Sequence, residues 1–267
     1  MEKKFTIGVI GAGFMGSAVI NRLVTSNVLP ANKIIVADKF EQSLNNISKL
    51  GVNVTTDNCY LAKNSDFVLF AIKPQQSKDV FLEISNCGVK KIISIMAGVK
   101  ISTIKEYFSN AKVARFMPNT PCSLGSGAVG ADISDFTNET EVAFIKAILG
   151  VLGYSVLVNE EDISNVIGVA GSAPAYFYLF IKAIVDAGVK RGLTEEDAKK
   201  LATHTMIGSG EMILSSDKSL DDLVTAVCSK GGTTIEAVKV FNNGLGDLVE
   251  DAINACVNRS KELEKGL

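Results

Sequence analysis

The sequence predicts an α/β chain, a doubly wound and mostly parallel sheet, followed by an all-α C-terminal domain. Three observations carry this expectation. Up to about residue 158, short β-rich runs alternate with segments of helical spacing. Most of the runs are near-continuously apolar, as parallel strands covered on both faces must be. After Glu160 the β signal disappears and only helical patterning continues. The strand runs are FTIGVI (5–10), KIIVAD (33–38), FVLFAI (67–72), KIISIM (91–96) and KVARFM (112–117). Met15–Ser26, Phe40–Leu50 and Pro74–Ile84 have the length and periodicity of the helices between them. Beyond Glu160 a long helical pattern, 162–191, is interrupted by GSAP, and Thr194 opens a further helix with Asp197 placed as in a capping box. Leu220–Val227, Thr234–Phe241 and Leu245–Leu263 complete the helical set.

At 267 residues and 47% hydrophobic content, the chain is long enough for two domains, expected at 1–160 and 161–267. Apolar residues in the second cover more than one face of its helices, and a dimer interface is the natural place to bury them. The formal charge of −2 gives no reason to expect a nucleic-acid partner. Five dispersed cysteines without a CxxC pair argue against a zinc site or a disulfide framework and fit a reducing compartment. No metal site is expected. His204 is the only histidine, which excludes mechanisms needing several, and a half-buried structural role is expected for it. The N-terminal MEKKFTIGVIGAG reads as a first strand rather than a signal peptide. The apolar run 173–189 carries Pro174, Lys182 and Asp186, which suits a buried helix better than a membrane span. A soluble cytoplasmic protein is expected.

The segment IGVIGAGFMG places GxGxxG directly after a strand and at the opening of a helix. That context suits a Rossmann dinucleotide site. Gly11 makes the tight turn, Gly13 admits the pyrophosphate and Gly16 lets helix and strand pack closely. Amides at the helix start then face the phosphates, helped by the helix dipole. The second strand ends in VADKF, so Asp38 stands where a carboxylate binds the adenosine ribose and repels a 2′-phosphate, which favours NADH. Lys39 beside it is a candidate partner for that same phosphate, and Asp38 also reads as a cap of the next helix. The choice between NADH and NADPH stays open.

Other strand ends point into the same crevice. FAIKPQ carries Lys73 with Pro74 fixing the turn that follows, SIMAGV carries Ala97, and RFMPNTP offers Met117, Asn119 and Thr120 between two stiffening prolines. Far downstream, VCSKGGTTIEAV sets a second glycine loop before a helix. A threonine N-cap is its plain structural explanation, and a second anion site is the functional one.

With these motifs in order, the chain resembles the pyrroline-5-carboxylate reductase family, the last enzymes of proline synthesis. The resemblance rests on GAGFMG, AIKPQ, SIMAGV, RFMPNTP, GVAGSAPAYFYLFIKAIVDAGVKRGL and SKGGTTIEAV, spread from Gly11 to Val238. It implies a Rossmann domain, an all-helical dimerisation domain, and assembly as homodimers that often form larger rings such as decamers. It also implies a composite active site, with nicotinamide from one subunit and a cyclic imino acid held by its partner. Family cofactor contacts fall on Gly11, Ala12, Gly13, Phe14, Met15, Gly16, Asp38, Asn58, Ala71, Ile72, Lys73, Pro74 and Ala97. Substrate contacts fall on Ser229, Gly231, Gly232, Thr233 and Thr234, with Met117 and Asn119 near the nicotinamide. Thr234 would offer its hydroxyl near the ring nitrogen as the catalytic group, and the amides of Gly231, Gly232 and Thr233 would cradle the carboxylate. Three positions depart from the family pattern: Phe14 replaces an asparagine, Ala173 a glycine or serine, and Lys230 a proline.

The implied reaction is NAD(P)H-dependent reduction of the imine by hydride transfer to the C=N carbon. A protonated imine is already an electrophile, so positioning and electrostatics suffice and the poverty of histidine is no obstacle. One alternative is an oxidoreductase of this architecture acting on another imine or on a 3-hydroxy acid; for the latter Lys182 is a candidate proton carrier by position only, and the GGTT loop speaks against it. Another is a non-catalytic nucleotide-binding paralogue.

Overall fold

The computed structural model describes residues 3–265. Eight strands form one sheet: β1 (Phe5–Ile10), β2 (Ile34–Ala37), β3 (Asn53–Thr55), β4 (Ser65–Phe70), β5 (Lys91–Ser94), β6 (Lys112–Met117), β7 (Gly127–Asp132) and β8 (Gly153–Leu157). Their spatial order is β3-β2-β1-β4-β5-β6-β7-β8. All neighbours pair in parallel except β6 and β7. The order reverses between β1 and β4, and such a reversal opens a ligand crevice at the strand C-termini.

The connecting helices are α1 (Phe14–Thr25), α2 (Glu41–Ser48), α3 (Asn58–Asn64), α4 (Ser77–Ile84), α5 (Ile101–Tyr107) and α6 (Glu139–Leu152). They cover both faces of the sheet with two separate apolar cores. Ile7, Val9, Val36, Phe67 and Leu69 pack with α1 and α6 residues such as Ile20, Leu23 and Ile148. Ile10, Ile35, Val68 and Phe70 pack with Leu61, Phe81 and Ile104. The near-continuous apolar strands follow from this double coverage.

The long helical pattern after Glu160 resolves into α7 (Ile163–Val166), a π-helical segment at Ile167–Gly171 and α8 (Ala173–Val189). The break falls at GSAP, where the sequence interrupts the pattern. Then come α9 (Glu195–Ser215), α10 (Leu220–Val227), α11 (Thr233–Phe241) and α12 (Leu245–Lys265). Thr194 accepts the Asp197 amide, making the cap that its spacing predicts. The stretch 160–189 is long and apolar enough to cross a membrane by length and composition alone.

Packing divides the chain into two compact units: Met1–Ser172 with Cys256–Leu267, and Ala173–Ala255. Residues just past 160 stay with the sheet because they pack on β7. A Cβ at Gly130 would stand 2.7 Å from Val166. The end of the chain belongs to the sheet unit through a buried arginine. Arg115, 1% exposed at its side chain, donates from Nη1 to Glu160 Oε1 at 2.9 Å and from Nη2 to Glu264 Oε1 at 2.8 Å. Glu160 Oε1 also accepts the Ile101 amide at 2.7 Å, and the Glu160 amide donates to Asp132 at 2.7 Å. Two carboxylates thus close on one buried cation, and one of them, Glu160, is itself tied to α5 and β7.

The helical unit has only a small core of its own, Val185, Ala198 and Ala202 with Ile181 against it. Large apolar side chains stay exposed on the single chain, among them Tyr178, Leu179, Leu201 and Leu248. His204, expected to be half buried, is exposed on α9 of the single chain. That exposure belongs to the same surplus of unburied helix surface.

Candidate active site

At the reversal point the chain leaves β1 through Gly11, whose φ of 104° suits only glycine. Its amide donates to Ala37 O at 2.8 Å, and a Cβ there would meet Ala71 O at 2.6 Å. Gly16 is fixed for another reason: a Cβ would collide with the Gly11 carbonyl oxygen. Gly13 differs from both. A Cβ on it meets nothing within 4 Å, so the space beside it is open and the chain itself has no use for the missing side chain. Gly13 is also the N-cap of α1 and makes no side-chain cap bond. The geometry accounts for Gly11 at the turn and Gly16 at the close packing, and leaves Gly13 beside open space.

The cleft in front of this loop has a volume of about 400 Å³ and is lined by Gly11, Gly13, Asp38, Asn58, Ala71, Ile72 and Lys73 of the expected cofactor residues. Ala12, Phe14, Met15, Gly16, Pro74 and Ala97 do not line it. Ala12 and Gly16 are buried beneath the loop, and Phe14 is 63% exposed at the start of α1. Pro74 begins the turn that leads to α4. Further lining residues come from the helices: Phe40 and Ser43 by α2, and Gln76, Asp79 and Glu83 around α4. No motif marks these positions. Only the expectation that the residue face after each strand turns towards the crevice would have found them.

Asp38 is half buried, and both its carboxylate oxygens are engaged. Oδ2 accepts the Ala12 amide at 2.7 Å and Oδ1 accepts the Phe40 amide at 2.9 Å. It steadies the turn into α2 and also lines the cleft. Lys39 is exposed, with its ammonium 5.1 Å from the Phe40 ring centroid. Asn58 donates to Glu83 Oε2 at 2.8 Å, a bridge between α3 and α4 across the cleft wall.

Asn119 is buried and fully used by the protein. Its Nδ2 donates to Ala170 O at 3.1 Å and its Oδ1 accepts the Ala128 amide at 3.0 Å. Its visible work is to hold the loop after β6, the strand that ends at half-buried Met117.

In the helical unit, Ser229 to Thr234 form the turn into α11. Gly231 has a φ of 73°, a left-handed conformation that disfavours other residues. Gly232 is the N-cap with no side-chain cap bond, so neither threonine caps α11. The Gly232 amide donates to Ser229 O at 3.0 Å and is therefore not free for a ligand. The amides of Gly231, Thr233 and Thr234 have no acceptor among the described residues. Lys230 is exposed and forms no ion pair among the described residues. Lys182, the candidate proton carrier of the alternative chemistry, lies 2.6 Å from Asp186. The hydrogen bond and charge of Asp186 raise its pKa, so it holds its proton where a general base must be free to accept one.

No group of three or more His, Cys, Asp and Glu with metal-binding geometry occurs among the described residues.

Two family models match the chain: "Pyrroline-5-carboxylate reductase dimerisation" over residues 160–263 and "NADP oxidoreductase coenzyme F420-dependent" over residues 6–98. Pyrroline-5-carboxylate reductase of Vibrio alginolyticus is 35% identical over 271 residues, covering 99% of each chain. Among solved structures, a pyrroline-5-carboxylate reductase from Coxiella burnetii superposes with a TM-score of 0.90 at 33% identity, covering 97% of this chain and 98% of its own. The Plasmodium falciparum pyrroline carboxylate reductase with NADP bound gives 0.87 at 29% identity, covering 99% and 100%.

Proposed function

The chain belongs to the pyrroline-5-carboxylate reductase family, and from that premise we propose how its own residues divide the work. The enzyme is an oxidoreductase that reduces 1-pyrroline-5-carboxylate to L-proline with NAD(P)H, the last step of proline biosynthesis. One imine, one reduced nucleotide and one proton are consumed, and proline and the oxidised nucleotide are released. When bound, the nicotinamide supplies the hydride that adds to the C=N carbon.

The residues of the sheet unit fit such a cofactor. Gly13 leaves open the space a pyrophosphate needs, and the first amides of α1 point there with the helix dipole behind them. Asp38 and Asn58 take the ribose end, and Ala71 to Pro74 with Ala97 border the nicotinamide end. Met117 supplies an apolar wall, while Asn119 keeps the β6 loop in place.

In the helical unit the Ser229–Thr234 turn takes the substrate carboxylate. The free amides of Gly231, Thr233 and Thr234 serve it, in place of the bonded Gly232 amide. The Thr234 hydroxyl, half buried at the start of α11, orients the ring nitrogen. These are positioning and electrostatic roles, which an electrophilic iminium ion requires more than a strong acid. The exposed apolar surface of the helical unit fits the dimerisation model that matches it. Each site then draws its sheet unit from one subunit and its helical unit from the partner, and the dimers assemble into rings such as decamers. The protein works in the cytoplasm without nucleic-acid or membrane partners, as its charge balance and dispersed thiols suggest.

The observation that carries the reading is the open space at Gly13, between two glycines, Gly11 and Gly16, that the fold itself requires. Following nucleotide oxidation at the nicotinamide absorbance with pyrroline-5-carboxylate tests it. Imine-dependent oxidation is expected, and no reduction of the nucleotide when a 3-hydroxy acid and oxidised nucleotide are supplied instead. Tight nucleotide binding without turnover of the imine would overturn it in favour of a non-catalytic paralogue.

A further inference from the structure

Two cysteines outside the catalytic roles lie against each other on the cleft's outer wall. Cys59, half buried in the first turn of α3, has its Sγ 2.9 Å from the Sγ of Cys87, just past the end of α4. The Cys87 thiol donates to the Cys59 sulfur, and the Cys59 thiol donates to Glu83 O at 3.2 Å. Cys59 directly follows Asn58, whose bridge to Glu83 walls the nucleotide cleft. The remaining cysteines, Cys122, Cys228 and Cys256, have no sulfur neighbour among the described residues.

We propose that Cys59 and Cys87 are a modification site, forming a reversible intramolecular disulfide that weakens nucleotide binding. The effect on the nucleotide rests on the cofactor assignment above; the cross-link does not. A sulfur–sulfur bond of roughly 2.05 Å needs the two sulfurs to close by less than about 1 Å. The oxidant is a peroxide. Cys59, the more accessible sulfur, attacks it: an S–O bond forms, the O–O bond breaks, and water leaves with the thiol proton. The Cys87 sulfur then attacks the Cys59 sulfur and displaces hydroxide, which takes the Cys87 proton and leaves as a second water. Two thiols and one hydrogen peroxide thus give one disulfide and two waters, and a small dithiol reverses the change. Burial, reinforced by the Cys59 hydrogen bond, raises the Cys87 pKa to about 11, so Cys87 keeps its proton at rest and acts second.

The disulfide removes the Cys59 donor from Glu83 O and draws the first turn of α3 away from its resting place. The Asn58–Glu83 bridge sits between those two changes, at a distance from the hydride-accepting carbon. Binding should suffer, and the chemical step should not.

The test uses the full-length enzyme, treated with stoichiometric hydrogen peroxide and then compared with and without dithiothreitol. Intact mass should fall by two hydrogens, and peptide mapping should join the Cys59 and Cys87 peptides. The KM for nucleotide should rise about fivefold at unchanged kcat, and dithiothreitol should restore it. Cys87→Ser and, separately, Cys59→Ser should each abolish both the mass loss and the KM shift. A sulfenic or sulfinic adduct without the cross-link, or a disulfide between other cysteines, overturns the site. A Cys59–Cys87 cross-link with unchanged nucleotide KM overturns its link to the cleft, while leaving the reductase assignment untouched.

Discussion

The Oδ2 atom of Asp38 accepts the Ala12 amide at 2.7 Å, so the end of β2 holds the glycine loop that ends β1. With Oδ1 on the Phe40 amide, one carboxylate orders both the loop and the turn into α2. Replacing Asp38 by Ser should therefore have two effects. Removing the charge should move the ratio of kcat/KM values for NADPH and NADH towards NADPH by about tenfold, the equivalent of ~1.4 kcal/mol. Losing hydrogen bonds to a charged acceptor should lower unfolding free energy by about 1–3 kcal/mol. Steady-state kinetics with both nucleotides and urea unfolding measure the two; an unchanged ratio rejects Asp38 as the discriminator.

The glycine loop offers a sharper separation of fold from function. Gly13→Val should fold with the wild-type melting temperature, because nothing lies within 4 Å of the added carbon. It should nevertheless bind nucleotide on the order of a hundredfold more weakly, since the side chain would occupy the space of the pyrophosphate. Gly11→Ala should behave in the opposite order, losing stability first through its positive φ and its contact with Ala71. Calorimetry and nucleotide titration on the pair check this, and a Gly13→Val protein that binds nucleotide normally refutes the assignment.

Thr234→Ala should reduce kcat/KM for the imine by about tenfold, the loss expected for one hydrogen bond at a reacting group, and leave nucleotide Kd unchanged. The Thr233→Ala variant removes a side chain without an assigned hydroxyl role and is the control. Equal kinetic losses in both would mean that the α11 turn, rather than the Thr234 hydroxyl, was disturbed.

Glu141 supplies a pH dependence. A hydrogen bond from Lys112 holds its carboxyl below the ordinary carboxylate range, helped by Lys91 and opposed by burial. A carboxylate whose pKa is depressed on folding stabilises the folded state above its unfolded value, and that contribution is lost as pH falls through the folded value. Glu141→Gln should thus cost most at neutral pH. The difference from wild type should narrow once the pH falls below about 4.5. Urea unfolding of both proteins from neutral pH to about pH 3 tests the sign; a gap that widens in acid would contradict it.

Much of this was legible in the chain. β1 falls on its expected run because a buried parallel strand is apolar throughout, β6 falls on its own despite the buried Arg115, and α9 begins where the Thr194 cap places it. β7, with the sequence GAVGAD, gave no strand signal. Its small residues are dictated by neighbours, since Gly130 must admit Val166 and Gly127 must admit Cys122 and Leu152. The glycine motif and Asp38 announced the cleft at the strand ends, because their spacing carries its geometry. Glu83 and Ser43 did not, because a polar residue on a helix face looks alike whether it meets solvent or ligand. The GGTT turn was visible, but the Gly232–Ser229 bond that withdraws one of its amides was a matter of three-dimensional folding. Arg115 and Glu264 lie 149 positions apart, and no local pattern links them.

That last pairing has a consequence for the covalent layout of the molecule. Because the closing turns of α12 are pinned under the sheet by Arg115, the chain crosses from one unit to the other twice. The helical segment 173–255 is therefore an insertion within a domain whose two ends are stitched together, rather than a module hung on a single tether. A stop codon placed after residue 172 would not yield a tidy nucleotide-binding fragment, since it would strand a buried guanidinium whose second carboxylate comes from Glu264, beyond the helical insertion.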